Sequence, residues 1–152
     1  MQVETKKIVV LGTGGTIAGK AAAAGDNIGY VAGQVGVQDL LAGVPGLAQA
    51  AQGALDFEQV AQIDSKNMEF GVWAALAQRC HAHLQDDSVR AVVITHGTDT
   101  LEETAWFLHS VLDARKPVLL TCAMRPATAL MADGPQNLLD SAIVASEPTA
   151  SG

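Results

Sequence analysis

The sequence predicts an α/β fold with a parallel, doubly wound sheet flanked by helices, because short apolar runs alternate with helical patterns. At least three of the runs are continuously apolar and rich in Val and Ile, as expected for strands covered on both faces. Parallel neighbours need a crossover connection, which the intervening helical patterns supply. The predicted strands are residues 7–12, 58–63, 91–96 and 117–122.

Three helices are predicted between and after these strands. Apolar residues repeat every four positions in residues 71–85 and again in residues 100–113, which is the pattern of a helix with one buried face. Thr100 and Glu103 fit a capping box at the start of the second helix. The third helix is predicted to begin near Pro135 and to end at about residue 145, since proline is favoured in a first turn.

Composition limits the class of partner. The chain has 152 residues, enough for one domain or part of a larger one, and 49% of them are apolar. The net charge is −7 and no Lys/Arg cluster occurs, so a nucleic-acid partner is not expected. No apolar run approaches the roughly 20 residues of a membrane span, and the polar start does not resemble a signal peptide. We therefore expect a cytoplasmic protein, or a periplasmic one whose mature form begins with a new Met.

The cysteines and histidines predict neither a disulfide nor a metal centre. Cys80 lies in a helical pattern and Cys122 ends an apolar run, which favours buried free thiols. The four histidines form no zinc-binding pair four residues apart with a glutamate between. We expect no metal and no other cofactor.

The glycine-rich turn in "KIVVLGTGGTIAGK" (7–20) has three possible interpretations. A dinucleotide fingerprint would need a third glycine where Ile17 stands, and no acidic strand end follows. A phosphate loop would need a hydroxyl where Ala21 stands. The third interpretation is a sharp turn at the carboxyl end of a strand, which holds a Thr hydroxyl as a nucleophile.

Two further strand ends carry hydroxyl groups. Ser65 follows the second strand, and Thr98 and Asp99 follow the third, although helix capping is an alternative explanation for all of these residues. In a parallel sheet the three ends would meet in one crevice, suited to a small molecule whose ammonium pairs with Asp99. Residues 17–36 contain six Ala, five Gly and only one Tyr, which indicates a mobile loop. A linker is one interpretation of this loop, but the lone Tyr30 after a strand-end turn favours a lid over a site.

Three motifs resemble bacterial L-asparaginases and glutaminase-asparaginases. They are "TGGTIAG" (13–19), "HGTDTLEET" (96–104) and "AMRPATALMADGPQNL" (123–138), and the resemblance extends from about residue 7 to residue 146. It implies an enzyme that hydrolyses the side-chain amide of asparagine, with glutamine as a second candidate substrate, to a carboxylate and ammonia. It also implies an N-terminal α/β catalytic domain over residues 1–152, a smaller C-terminal domain outside this sequence, and a homotetramer.

The resemblance assigns roles to individual residues. Thr16 matches the nucleophile, Tyr30 the lid tyrosine, Thr98 the second catalytic threonine and Asp99 the aspartate that holds the substrate's α-ammonium. Either threonine remains a candidate for the first attack.

Ser65 and Ala123 match substrate-binding positions. Ser65 matches the residue that binds the α-carboxylate, and the backbone of Ala123 matches a position beside the substrate amide. Lys66 stands where some relatives carry Gln or Glu, so the preference between asparagine and glutamine is left open.

The family's catalytic lysine and C-terminal domain have no counterpart in residues 1–152, so this chain alone is expected to be inactive. That absence keeps an alternative open, a domain that binds an amino acid without hydrolysing it.

Overall fold

The computed structural model describes residues 6–23, 26 and 28–151. The strands are β1 (Lys7–Gly14), β2 (Lys20–Ala21), β3 (Tyr30–Val31), β4 (Leu55–Ile63), β5 (Val89–Thr95) and β6 (Val118–Thr121). The α-helices are α1 (Val37–Ala42), α2 (Leu47–Ala50), α3 (Phe70–Gln85), α4 (Leu101–Val111) and α5 (Gly134–Ser146). Short 3-10 helices follow β1 at Thr16–Ala18 and β4 at Ser65–Asn67.

The main sheet has the strand order β4-β1-β5-β6, and every neighbouring pair is parallel. This confirms the predicted doubly wound sheet. The chain passes from β1 to β4 on one side, then crosses back to β5 and β6 on the other. The strand order therefore reverses between β1 and β5, and open α/β sheets bind ligands beyond the carboxyl ends at such a point.

Both faces of the sheet are buried against helices, because successive residues of a strand point to opposite faces. Ile8 and Val10 belong to a core that includes residues of α1, α2 and α5. Val9 and Leu11 belong to a second core formed with α3 and α4. This two-sided burial explains why β1 and β5 are continuously apolar in sequence.

The structure extends the predicted elements and corrects one of them. Strand β4 begins at Leu55 rather than at residue 58, and α1 and α2 were not predicted because each spans less than two turns. The prediction of a capping box at the start of α4 is wrong. The side chain of Thr100, the N-cap of α4, makes no cap hydrogen bond and instead donates to the carbonyl oxygen of Ser65 at 2.9 Å.

The segment interpreted as a loop contains regular structure. Strands β2 and β3 form an antiparallel ribbon in which Lys20 pairs with Val31 and Ala21 with Tyr30. Residues 24, 25 and 27 of the predicted lid lie outside the described residues, as do residues 1–5 and 152. Among the described helices, none combines the length and apolar character needed to cross a membrane.

Both cysteines are free thiols. Cys80 is fully buried between α3 and the sheet, and this burial raises its pKa to about 12. Cys122 is half-buried at the end of β6.

Candidate active site at the carboxyl ends of β1 and β5

The turns that follow β1, β4 and β5 are in direct contact. Gly15 has φ of +78° and ψ of −175°, a conformation that is essentially restricted to glycine. Its N–H donates to the carbonyl oxygen of Ile63 at 2.8 Å. A Cβ on Gly97 would lie 3.2 Å from Cα of Gly15 and 2.7 Å from Cβ of Ser65. The predicted convergence of the three strand ends is therefore confirmed.

Thr16 and Tyr30 are joined by a hydrogen bond of 2.9 Å between their hydroxyl oxygens. Both residues are half-buried. The ring of Tyr30 packs against Gly19, where an added Cβ would lie 2.8 Å from Cδ2 of the tyrosine. Gly33 N–H donates to the carbonyl oxygen of Gly15 at 3.0 Å, which attaches the residues after β3 to the turn before Thr16. Packing on Gly19 holds the ring of Tyr30, and the hydrogen bond from Gly33 to Gly15 holds the turn before Thr16. Together these contacts fix the distance between the two hydroxyl groups.

Ser65 holds the turn that carries Thr98 and Asp99. Its side chain is buried, and its hydroxyl oxygen accepts the N–H of Asp99 at 3.1 Å. A serine hydroxyl that accepts one hydrogen bond still has its own proton to donate. The Ser65 hydroxyl therefore holds the backbone of Asp99 in place, and its own proton remains available to donate a hydrogen bond to a ligand.

The side chains of Thr98 and Asp99 make no hydrogen bond to the described part of the chain. Thr98 is half-buried and Asp99 is exposed. Because the N–H of Asp99 is held by Ser65, its backbone is fixed while its carboxylate remains open to solvent. A carboxylate in this position can accept the ammonium of a small molecule.

Lys66 brings a positive charge to the same region. Its ammonium lies 2.9 Å from the carboxylate of Asp64. This pairing raises the pKa of Lys66, with smaller contributions from Asp99 and Tyr30. The charge of Lys66 is therefore balanced mainly by Asp64, with a weaker attraction to Asp99.

Ala123 lies in the turn after β6, which contacts the base of the ribbon. Ala123 is buried, and Ala127 N–H donates to the carbonyl oxygen of Gly19 at 3.0 Å. The carboxylate of Asp133 accepts the N–H groups of Met124 and Arg125, each at 2.9 Å.

Asp133 is the acid that closes this turn. Partial burial opposes its charge, but the backbone hydrogen bonds from Met124, Arg125 and Asp133 itself, together with the charge of Arg125, outweigh burial and lower the pKa of Asp133. The turn beside Ala123 therefore depends on an ionised carboxylate that sequence reasoning did not identify.

Three further residues were missed because their roles depend on tertiary contacts. From the sequence, His96 was a candidate only for metal binding, and no pattern indicated that Trp73 or Thr104 makes a polar contact. In the structure a hydrogen-bonded chain joins them to the turn of Thr98. A histidine directly after β5 and a threonine on the inner face of α4 were the available signals.

The arrangement is suited to acyl transfer on a small amino acid. It combines a paired hydroxyl at Thr16, a second hydroxyl at Thr98 and an open carboxylate at Asp99. Thr98 N–H makes no hydrogen bond to the described residues, so it can donate to a developing oxyanion.

Comparison with known proteins identifies the family. The family model described as "Asparaginase, N-terminal" matches residues 7–152. The chain belongs to the asparaginase family. It is 44% identical over 155 residues to the glutaminase-asparaginase of Pseudomonas fluorescens biotype A, an alignment that covers 99% of this chain and 42% of that protein. It is 43% identical over 145 residues to L-asparaginase 2 of Bacillus subtilis, covering 95% of this chain and 38% of that protein.

A solved structure supports the same assignment. The probable cytoplasmic L-asparaginase of Campylobacter jejuni superposes with a TM-score of 0.90 at 42% sequence identity, covering 96% of this chain and 44% of that one. The asparaginase-like α/β fold expected from the motifs is confirmed. The chain spans about two fifths of the length of the curated relatives it matches.

Proposed function

We propose that the full-length gene product containing this chain hydrolyses the side-chain amide of L-asparagine to L-aspartate and ammonia, with Thr16 as the nucleophile. The observation that carries the proposal is the 2.9 Å hydrogen bond between the hydroxyl groups of Thr16 and Tyr30. An aliphatic hydroxyl attacks an amide only when another group takes its proton. Thr16 has such a neighbour, whereas the hydroxyl of Thr98 has no partner among the described residues.

In the first half-reaction, Thr16 Oγ1 bonds to the amide carbon while Tyr30 relays the proton: the phenol oxygen accepts the proton of Thr16 as the phenol passes its own proton on to the amide nitrogen. The carbonyl oxygen becomes an oxyanion, which Thr98 N–H stabilises. The C–N bond then breaks and ammonia leaves with the proton it needs, so that an aspartyl ester remains on Thr16. In the second half-reaction, water attacks the ester carbon and Thr16 recovers its hydroxyl proton, while the hydroxyl of Thr98 assists one proton transfer.

Substrate recognition uses the remaining groups. The carboxylate of Asp99 pairs with the α-ammonium, and the free proton of the Ser65 hydroxyl donates to the α-carboxylate. The backbone of Ala123 lies beside the amide. Glutamine is a second candidate substrate because one relative is named a glutaminase-asparaginase.

Lys66 would lie near these charged groups, since the carboxylate of Asp99 contributes weakly to raising the pKa of its ammonium. Its positive charge disfavours a close approach of the α-ammonium unless Asp64 keeps it paired.

We also propose that residues 1–152 form the N-terminal catalytic domain of a longer enzyme, whose C-terminal domain and a catalytic lysine complete the site within a homotetramer. The support is the two-fifths coverage of the relatives. Alone, this chain is expected to release no ammonia. The names of the relatives include one periplasmic and one cytoplasmic enzyme, and either compartment fits the proposal.

The test measures ammonia released from L-asparagine by the full-length protein, by Thr16→Ala and by Thr149→Ala. Thr149 is an exposed threonine beyond α5, so Thr149→Ala makes the same chemical change outside the candidate site. Thr16→Ala is expected to lower kcat at least about a thousandfold, or about 4 kcal/mol of barrier, and Thr149→Ala to leave it unchanged. A loss of less than about tenfold in Thr16→Ala would show that Thr16 is not the nucleophile.

A further inference from the structure

Three consecutive hydrogen bonds cross the interior from α3 to the turn that carries Thr98. Trp73 Nε1–H donates to Thr104 Oγ1 at 2.8 Å, and Thr104 Oγ1 lies 2.9 Å from Nε2 of His96. His96 Nδ1 lies 2.7 Å from the carbonyl oxygen of Gly97. The side chains of His96 and Thr104 have no exposed surface, so water cannot replace these bonds.

Chemistry fixes the direction of each hydrogen bond. A carbonyl oxygen only accepts, so His96 must carry a proton on Nδ1. Burial lowers the pKa of His96 by more than the hydrogen bond to Gly97 raises it, so the ring is neutral and Nε2 is an acceptor. Thr104 therefore donates to Nε2, and its oxygen accepts the indole N–H of Trp73. All three bonds point towards the carbonyl oxygen of Gly97.

That carbonyl belongs to the same peptide group as the N–H of Thr98. A trans peptide is planar, so its C=O and N–H point in opposite directions, and holding one fixes the other. Position 97 excludes a side chain, because an added Cβ would lie 2.7 Å from Cβ of Ser65. Glycine leaves its own backbone dihedrals free, so the orientation of this peptide depends on an external restraint. His96 supplies that restraint.

We propose that Trp73, Thr104 and His96 are positioning residues that aim and polarise the N–H of Thr98. None of them is assigned a contact with substrate. Linked hydrogen bonds polarise one another, so a bond accepted by Gly97 makes the N–H of the same peptide a stronger donor. The inference rests on the proposed function, in which this N–H stabilises the oxyanion. It predicts that removal of one buried hydroxyl, at Thr104, weakens the chemical step while substrate binding is retained.

The principal test compares Thr104→Val with Thr104→Ser in the full-length protein. Valine keeps the shape of threonine and removes the hydroxyl, whereas serine keeps the hydroxyl. Loss of a whole oxyanion donor costs about 10²–10³ in kcat, so weakening one is expected to cost about tenfold or more. We expect this loss in Thr104→Val with KM within about twofold of wild type, and a kcat for Thr104→Ser within about threefold of wild type.

Trp73→Phe provides a milder variant in case Thr104→Val does not fold. It removes the indole N–H together with the five-membered ring, and it keeps an aromatic ring that can stack on Phe107, whose ring centroid is 5.3 Å from that of Trp73. Because it removes the most distant member of the chain, we expect a smaller fall in kcat, of about threefold, again without a comparable rise in KM.

Ring-¹⁵N NMR of protein labelled at histidine tests the chain without any activity measurement. We expect the proton of His96 on Nδ1. A proton on Nε2 overturns the proposal, because His96 could then not donate to Gly97. The proposal is also overturned if kcat of folded Thr104→Val or Trp73→Phe stays at the wild-type value, if KM changes as much as kcat, or if Thr104→Ser is as impaired as Thr104→Val. A wild-type protein inactive on asparagine refutes the proposed function instead, and the NMR result then decides the hydrogen-bond chain alone.

Discussion

The hydroxyl oxygens of Thr16 and Tyr30 lie 2.9 Å apart, although 14 positions separate the two residues in sequence. Thr16 is fixed by the 3-10 turn after β1, and Tyr30 by the ribbon of β2 and β3. The ribbon therefore delivers a phenol to the hydroxyl that we propose as nucleophile. Tyr30 takes part in the chemistry if catalysis depends on its phenol oxygen and not only on the packing of its aromatic ring.

Tyr30→Phe tests this role directly. Phenylalanine keeps the ring packed against Gly19 and removes only the hydroxyl group. Since a positioned proton-transfer group contributes about 10²–10⁴ in rate, we expect kcat on asparagine to fall at least about a hundredfold with little change in thermal stability. Steady-state kinetics and a melting curve measure both quantities. A kcat within about twofold of wild type would remove Tyr30 from the mechanism.

Gly15→Ala is expected to destabilise the protein far more than Gly46→Ala. Both glycines have similar φ, +78° and +81°, but Gly46 has open space where a Cβ would go. At Gly15 an added Cβ would lie 2.6 Å from the carbonyl carbon of His96, in a backbone conformation that only glycine adopts readily.

Urea unfolding should give a loss of about 1 kcal/mol for Gly46→Ala, from its left-handed backbone alone. For Gly15→Ala we expect more than about 3 kcal/mol, since strain and steric overlap combine. Equal losses would mean that the turns after β1 and β5 are not packed as closely as the structure shows.

Asp99→Asn is expected to remove the preference for an α-amino acid. Succinamate, which is asparagine without its amino group, provides the comparison because it lacks the ammonium that Asp99 should bind. The ratio of kcat/KM for asparagine to that for succinamate should fall by about tenfold or more in Asp99→Asn, as expected for loss of a charged hydrogen bond. Asp87→Asn, at an exposed aspartate, is the matched control and should keep the wild-type ratio. An unchanged ratio in Asp99→Asn would refute the assignment.

Asp133→Asn is expected to make a pH-dependent difference to stability. The folded-state pKa of Asp133 is lowered, so its contribution is present above the ordinary aspartate pKa of about 4 and is lost as the pH falls through and below that value. The wild type should exceed the variant by about 1–3 kcal/mol in free energy of unfolding at pH 7, because two backbone N–H groups lose a charged acceptor. Measured from pH 7 to pH 3, this difference should shrink. A difference that stays constant would contradict the role of the ionised carboxylate.

The main sheet could be predicted because its signals are local. The apolar runs of β1 and β5 reflect burial on both faces, and the four-residue repeat of α3 matches the buried positions Leu76, Cys80 and Leu84. Pro135 marks the first turn of α5, as predicted. The helices α1 and α2 were missed because each is too short for its apolar residues to show a helical period.

The candidate site was predictable in its position but not in its internal bonding. Strand order brings Thr16, Ser65 and Asp99 to one edge, which the alternation of strands and helices implies. Thr100 illustrates the limit of this reasoning. Its local pattern suggested a capping box, but its hydroxyl instead donates a hydrogen bond to a carbonyl oxygen 35 positions away in sequence. Such a partner is determined by tertiary packing, and the same is true of the partners of His96 and Asp133.

The most direct test of the central claim is to trap the acyl-enzyme. The full-length protein is mixed with asparagine, quenched in acid within one turnover, digested and analysed by mass spectrometry. We expect an aspartyl ester on the peptide that contains Thr16, and no such adduct in Thr16→Ala. An ester on the peptide that contains Thr98, or one that persists in Thr16→Ala, would contradict the account.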